Sequence, residues 1–206
     1  MKANYQEYTD SQLPAIKLLQ KMNWQYLNPE EALKARGELH SNVILDEILA
    51  EQLDKINRFD YKGEQHKFSS GSIYGAINAL KSVPNDGLVQ TNESVYDLLT
   101  LGKSFNETVK GDRKSYTLNF IDWDNLENNA FHISEEFTVE GGNGKIRPDI
   151  VLFVNGIPFV IIENKRRDKN QSMDEGISQT IRNQKEDEGV PKLYHYAQLL
   201  LSVPTE

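Results

Sequence analysis

The 206-residue sequence contains no cysteine. No disulfide supports the fold, and no thiolate can bind a metal or act as a nucleophile. An intracellular, reducing setting fits. There is no basic excess either: 23 Lys and Arg stand against 31 Asp and Glu, a net charge of −8. A free-standing nucleic-acid binder is expected to show a basic surface, so this balance argues against one. Local clustering still counts for more than the total when a polyanion is to be held. No apolar run reaches membrane-spanning length, and the opening MKANYQEYTDSQ lacks the apolar core of a signal peptide. A soluble, cytoplasmic protein with no membrane partner is the expectation. His40, His66, His132 and His195 are scattered, with no pair at metal-ligand spacing, so no zinc site is expected. A phosphate-binding loop is missing too. In LGKS (101–104), Asp97 stands where the first glycine of GxxxxGK[ST] belongs. In GGNGKI, Val139 does, and Ile146 follows the lysine.

What is present is 38% hydrophobic content, enough for one sizeable core or two small ones. The first third reads as helices. NPEE offers Asn28 as N-cap, Pro29 at the first helical position and two acids in the first turn. Leu45, Ile48, Leu49, Leu53 and Ile56 recur at helical spacing. SIYGAINALKSV (72–83) reads as a shorter helix, PNDG (84–87) as a turn, and TNESVYDLLTLGKS as a helix capped near Thr91 or Asn92 and ended by Gly102. After Gly111 the pattern turns to strands. KSYTLNFIDW is one and NNAFHISEEFTVEG contains another. GGNGK (141–145) reads as a flexible loop, and YHYAQLLLSV as a closing strand. Between the last two, SMDEGISQTIRNQKEDEG is a helix with Ile177 and Ile181 on one face. This order implies an α/β domain, a sheet flanked by helices. The expected organisation is a helical portion at 1–90 packed on a sheet-bearing core at 91–206, together one compact unit.

The most informative stretch is RPDIVLFVNGIPFVIIENKRRDKN (147–170). Two apolar runs flank Asn-Gly, a strong hairpin signal. Neither run alternates with polar residues, so both faces of the hairpin are expected to be covered. Ile150, Leu152, Val154, Val160 and Ile162 fall on one face, and Val151, Phe153, Phe159 and Ile161 on the other. Glu163 and Lys165 share a face because they are two apart. Asp149 joins them only if 149 lies opposite 163. A three-residue loop, Asn155-Gly156-Ile157, achieves that; a two-residue loop pairs 149 with 162 and turns Asp149 away.

Two readings of this cluster stay open at the level of pattern. In one, the charges are a solvated hairpin mouth, with Glu163 and Lys165 a surface pair. In the other, opposed carboxylates at 149 and 163 share a divalent cation, with Mg²⁺ favoured by hard oxygen donors. Such a cation would polarise a phosphodiester and lower the pKa of a bound water, while Lys165 orients that water or meets charge building on phosphorus. Arg166, Arg167 and Lys169 are then either phosphate contacts or a solvated run. The adjacent Glu135 and Glu136 face opposite ways on a strand, although Glu135 could still approach the cleft.

The trio resembles the PD-(D/E)xK nuclease motif. More of the chain resembles the N-terminal region of the restriction (R, or motor) subunit of type I restriction–modification enzymes. LNPEEAL, SNVILDEILAEQLDKIN, DGLVQTNESVYDLLTLGKS, NFIDWDN, RPDIVLFVNGIPFVIIENKR and ISQTIRNQKEDEGVPKLYHYAQLLLSV carry this likeness over about residues 25 to 203. The resemblance implies a mixed-sheet nuclease fold and Mg²⁺-dependent DNA cleavage, with Mn²⁺ able to substitute. Asp149, Glu163 and Lys165 would be catalytic, and the Asn164 backbone carbonyl a further metal donor. Relatives carry a Gln-x-x-x-Tyr element on the next helix; Gln179 matches it, but Asn183 stands at the tyrosine position. Glu93 is the candidate for a glutamate supplied from the preceding helix. Arg166, Arg167, Lys169 and Arg182 are the candidate DNA contacts.

The implied partners are double-stranded DNA, the ATP-driven motor domains of a longer subunit, and the methylation and specificity subunits of a prokaryotic complex. ATP belongs to the motor and is not expected to bind this chain. Lacking a motor and being acidic, the chain alone is expected to cleave weakly or not at all. The rival expectation is a catalytically silent module that docks the same subunits. A stand-alone nuclease is disfavoured by the acidic balance.

Overall fold

The computed structural model describes residues 12–142, 144–165, 173–185 and 189–204. The elements in chain order are α1 (Leu13–Lys21), β1 (Gln25–Leu27), α2 (Pro29–Ala35), α3 (Asp46–Ile56), β2 (Phe59–Tyr61), β3 (Glu64–His66), α4 (Ser70–Lys81), α5 (Leu88–Leu101), β4 (Lys103–Val109), β5 (Asp112–Leu118), β6 (Phe131–Glu135), β7 (Val139–Gly141), β8 (Gly144–Ile146), β9 (Ile150–Val154), β10 (Ile157–Lys165), α6 (Met173–Asn183) and β11 (Leu199–Pro204). Five strands form the central sheet in the order β1-β6-β9-β10-β11. The outer pairs, β1 with β6 and β10 with β11, are parallel; the inner pairs are antiparallel. The fold is thus α/β with a mixed sheet flanked by helices, as the sequence implied.

The helix signals carry through where they are local. Asn28 and Glu31 close a reciprocal capping box: Glu31 N donates to Asn28 Oδ1 and Asn28 N to Glu31 Oε2, both at 2.9 Å. Leu49 and Leu53 of α3 are fully buried. The start of α5 differs from the expectation. The helix begins at Leu88 behind Gly87, and Thr91 Oγ1 reaches back to accept from Asp86 N and donate to the Pro84 carbonyl. The threonine pins the preceding turn instead of capping the helix.

Strand partners are what the sequence hid. KSYTLNFIDW does contain β5, but β5 pairs with β4 in a separate hairpin outside the main sheet. Gly141 and Gly144, expected in a flexible loop, end the paired strands β7 and β8. Only the second half of YHYAQLLLSV is β11; Pro191–Leu193 is a 3₁₀ turn. Short strands with unpatterned residues gain their conformation from partners more than from propensity. β1 comes from the segment expected to be only helical, and α5 spans position 90. Leu27, Leu49, Leu99, Leu118 and Phe153 all lie in one core cluster.

The β9–β10 hairpin is buried on both faces. Val151, Phe153 and Ile161 enter the large core with α3, α4 and α5; Ile150, Leu152, Val160 and Ile162 form a smaller one with Ile16 of α1. Each such side chain contributes about 1.5–3 kcal/mol. Val154 departs from the expected face and joins Ile157 in the large core, beside the turn. The helix α6 leaves Ile177 and Ile181 46% and 54% exposed. It rests on β10 and the edge strand β11. β11 likewise leaves Leu199, Leu200, Leu201 and Val203 partly exposed. The sheet ends there, so among the described residues no further layer covers that side.

The turn itself corrects the loop expectation. It is an even, two-residue loop: Val154 pairs with Ile157, and Asn155 and Gly156 take φ of 52° and 82°. That conformation matches hairpin twist and is the one Asn-Gly favours. Alone it would separate Asp149 from Glu163. Between Pro158 and Val160, however, the register slips by one, so that Val160 faces Leu152 and Ile162 faces Ile150. This bulge supplies the extra residue that a longer loop would have supplied. Pro158 is its physical origin, because proline has no N–H to donate to a ladder. The carbonyl of Phe159 instead accepts from Gln198 N at 2.8 Å.

Candidate active site

Extending the bulged register by one residue places Asp149 opposite Glu163. Opposed residues on a strand pair have Cβ atoms about 4.5–5.5 Å apart. A hydrogen bond fixes the neighbourhood: Asn164 N donates to Asp149 Oδ2 at 2.7 Å. β9 begins only at Ile150, so the Asp149 carboxylate takes an amide of β10. Glu163 is 1% exposed and Asp149 half-buried. The extended register thus sets two acidic positions opposite each other at the end of a buried hairpin. Glu163 also pairs with Ser202 of β11.

Neighbouring elements hold this row. Gln12 Nε2 donates to the Asp149 carbonyl at 3.1 Å and to Glu135 Oε2 at 3.3 Å. Tyr26 OH donates to the other Glu135 oxygen. Glu135 pairs with Ile150 and belongs to the α1 side of the sheet. It therefore abuts the backbone of Asp149 but sits on the opposite face from Glu163, engaged by Tyr26 and Gln12. Glu136 N donates to the Asp149 carbonyl at 2.9 Å, and the Glu136 carboxylate pairs with Arg147 at 2.8 Å.

Tyr194 is 3% exposed and lies within range of the Glu163 charge. Burial pushes its phenol well above the usual tyrosine range; Asn183 pulls partly back, and the Glu163 charge pushes it further up. The Asn183 amide approaches the phenol without closing a hydrogen bond of ordinary geometry. Asn92 of α5 holds the turn that carries Tyr194: its Nδ2 points at the carbonyls of Tyr194, His195 and Ala197 at 3.4, 3.0 and 3.0 Å. The same segment is tied to the end of α6 by Val190 N donating to the Asn183 carbonyl at 3.0 Å.

The donor set suits a hard cation. Among the described residues no three His, Cys, Asp or Glu side chains gather as a metal site. Two carboxylates suffice for Mg²⁺, which keeps several waters and uses one or two carboxylates together with substrate phosphate oxygens.

The family described as type I restriction enzyme R protein N terminus matches residues 4–205. The chain belongs to that family. It is 35% identical over 184 residues, 89% of its length, to the putative type I restriction enzyme MjaVIIIP endonuclease subunit of Methanocaldococcus jannaschii. It is 28% identical over 156 residues, 73% of its length, to the type I restriction enzyme HindI endonuclease subunit of Haemophilus influenzae. The aligned parts make up 16% and 14% of those relatives, so the chain spans a small share of their length.

The other expected residues of this R-protein N-terminal region fall as follows. Lys165 ends β10 and Gln179 lies within α6, their side chains falling outside the described atoms. Arg166, Arg167 and Lys169 lie outside the described residues. Arg182 is exposed in the last turn of α6. Glu93 is exposed on α5, and it is its neighbour Asn92 that reaches towards the site. Asn164 is fully buried. Upstream of the hairpin, Lys145 and Arg147 lie near Glu140 and Glu136 at 3.9 and 2.8 Å.

Tyr194, Ser202, Asn92 and Gln12 escaped the sequence reading. No local pattern marks them, because each reaches the site from a different element. Pro158 within a strand run was the one available signal, and it pointed to the bulge. A cavity of about 580 Å³, lined by Lys81, Lys192 and His195, contains neither Asp149 nor Glu163. Its cations are already engaged: Lys81 with Asp46 at 2.7 Å and Lys192 with the Ser41 carbonyl at 2.9 Å.

Among the described residues no helix is long and apolar enough to cross a membrane.

Proposed function

We propose that this chain is the nuclease unit of a type I restriction R subunit and hydrolyses DNA phosphodiester bonds with Mg²⁺. The observation that carries the reading is the bulge at Pro158–Val160, which turns an even hairpin into the register that opposes Asp149 and Glu163. Family membership and relatives named as endonuclease subunits support it. A bound Mg²⁺ would supply Lewis acidity and a water of lowered pKa. Asp149 and Glu163 would hold it, with the Asn164 backbone carbonyl as a further oxygen. Asn164 N–H, donating to Asp149 Oδ2, keeps that carboxylate turned towards β10. Lys165, at the end of β10, would orient the attacking water and offset charge on the phosphoryl oxygens. The water oxygen bonds to phosphorus, the bond to one sugar oxygen breaks, and that oxygen takes up a proton. Gln179, Arg166, Arg167, Lys169 and Arg182 are the proposed contacts to the DNA backbone. The motor domains and the methylation and specificity subunits are the proposed partners, so the chain alone cleaves weakly or not at all.

The test is cleavage by the full-length subunit assembled in its complex, comparing wild type with Asp149→Asn, Glu163→Gln and Lys165→Ala. Each variant is expected to lose at least about a hundredfold in cleavage rate while the complex still assembles and hydrolyses ATP. Undiminished cleavage by an assembled variant would overturn the reading and leave a silent docking module in its place.

A further inference from the structure

Two buried hydroxyls neighbour Glu163, those of Ser202 and Tyr194. Ser202 is the direct β11 partner of Glu163 in the parallel pairing, so their side chains leave the same face of the sheet. Tyr194 lies on the turn held by Asn92 and sits close enough to Glu163 to feel its charge. Both hydroxyl oxygens are shut off from solvent, and among the described residues neither closes a hydrogen bond. A buried hydroxyl without a partner is costly and rare, so two around one buried carboxylate call for a reason. A hydroxyl can always donate, and an ionised carboxylate only accepts.

We propose that Tyr194 and Ser202 form a hydroxyl cradle that orients the Glu163 carboxylate towards a metal shared with Asp149. Both are positioning residues: they act on the metal through Glu163. Ser202 would reach it along the sheet, and Tyr194 from the turn held by Asn92. Asp149, just before β9, accepts from the next amide of β10, Asn164 N. Glutamate has three rotatable bonds, and its carboxylate can present either oxygen unless its outer lone pairs are held. Hydrogen bonds to a ligating carboxylate hold it in this way, and removing such a partner typically weakens metal binding about 10–100-fold. The inference rests on the reading of Asp149 and Glu163 as metal ligands.

The experiment titrates Mn²⁺ into the 206-residue chain by electron paramagnetic resonance, for wild type, Tyr194→Phe, Ser202→Ala and the double variant. Asp149→Asn serves as the site control, and thermal unfolding without metal is measured in parallel. Each single substitution is expected to raise the Mn²⁺ dissociation constant about tenfold. The double variant should fall short of the product of the two, since both act through one carboxylate. The melting temperature should hold or rise, because each change removes only a buried hydroxyl that closes no hydrogen bond among the described residues. Wild-type Mn²⁺ affinity in both single variants would overturn the cradle and leave the metal site standing. So would an affinity loss seen only with a fall in melting temperature. Mn²⁺ uptake that is absent in wild type, or unchanged in Asp149→Asn, would overturn the metal reading and the cradle together.

Discussion

Gly156→Ala is the sharpest probe of how the site-bearing hairpin is seated. Gly156 has φ of 82°, and its carbonyl accepts the Leu45 N–H at 2.9 Å, at the entrance to α3. A Cβ at this position would lie 2.7 Å from the Leu45 carbonyl oxygen and 3.0 Å from Leu49 N, both backbone atoms. An L-residue in the left-handed region costs roughly 1–2 kcal/mol. Pushing the turn away from α3 forfeits most of a hydrogen bond, about 1 kcal/mol. Loosened packing under Leu45 and Leu49 adds about 1 kcal/mol more. The expected total is about 3–4 kcal/mol, a large part of the stability of an ordinary domain. Gly37 is the matched control, with φ of 74° and, among the described residues, open space for 4 Å around the place a Cβ would take. Gly37→Ala should show the backbone cost alone, about 1–2 kcal/mol. Urea unfolding of both variants by circular dichroism reads the difference as a change in midpoint at constant slope. Equal losses for the two would refute the idea that the turn is locked against α3.

Other outcomes follow from the same contacts. Asn92→Ala strips a donor from three carbonyls of the Tyr194 turn. It should cost about 1–2 kcal/mol in urea unfolding and also weaken Mn²⁺ binding, whereas Tyr194→Phe should do only the latter. His132 is buried, and burial holds its imidazole below the ordinary value of 6.5, with Glu51 pulling weakly back. The unfolded chain therefore binds the proton more readily. Stability from this residue is fully present above about pH 6.5 and is lost as the pH falls towards the folded-state value. Urea midpoints at pH 7.5 and 5.5 should drop less in His132→Gln than in wild type; an identical drop would exclude His132 as a source.

The hairpin shows where sequence reasoning succeeds and where it stops. Apolar runs on either side of Asn-Gly were enough to predict a hairpin buried on both faces, because side-chain period and turn chemistry are local. The register that sets Asp149 opposite Glu163 was expected from a different device. An odd loop was expected, and an even loop with a bulge does the same work. On α5, Glu93 is exposed, and its neighbour Asn92 binds carbonyls of the turn that carries Tyr194.

The sequence by itself determined the local elements: the Asn28–Glu31 capping box, the helical spacing of α3, the stop at Gly102, and a hairpin ending in Asp149, Glu163 and Lys165. These follow from backbone geometry and the preferences of neighbouring residues. Only the tertiary structure decided that β1 and β11 flank the sheet, that the register shifts after Pro158, and that Ser202 lies beside Glu163. Those facts depend on which strand lies beside which, and such contacts join residues tens of positions apart that carry no mark of one another in the chain.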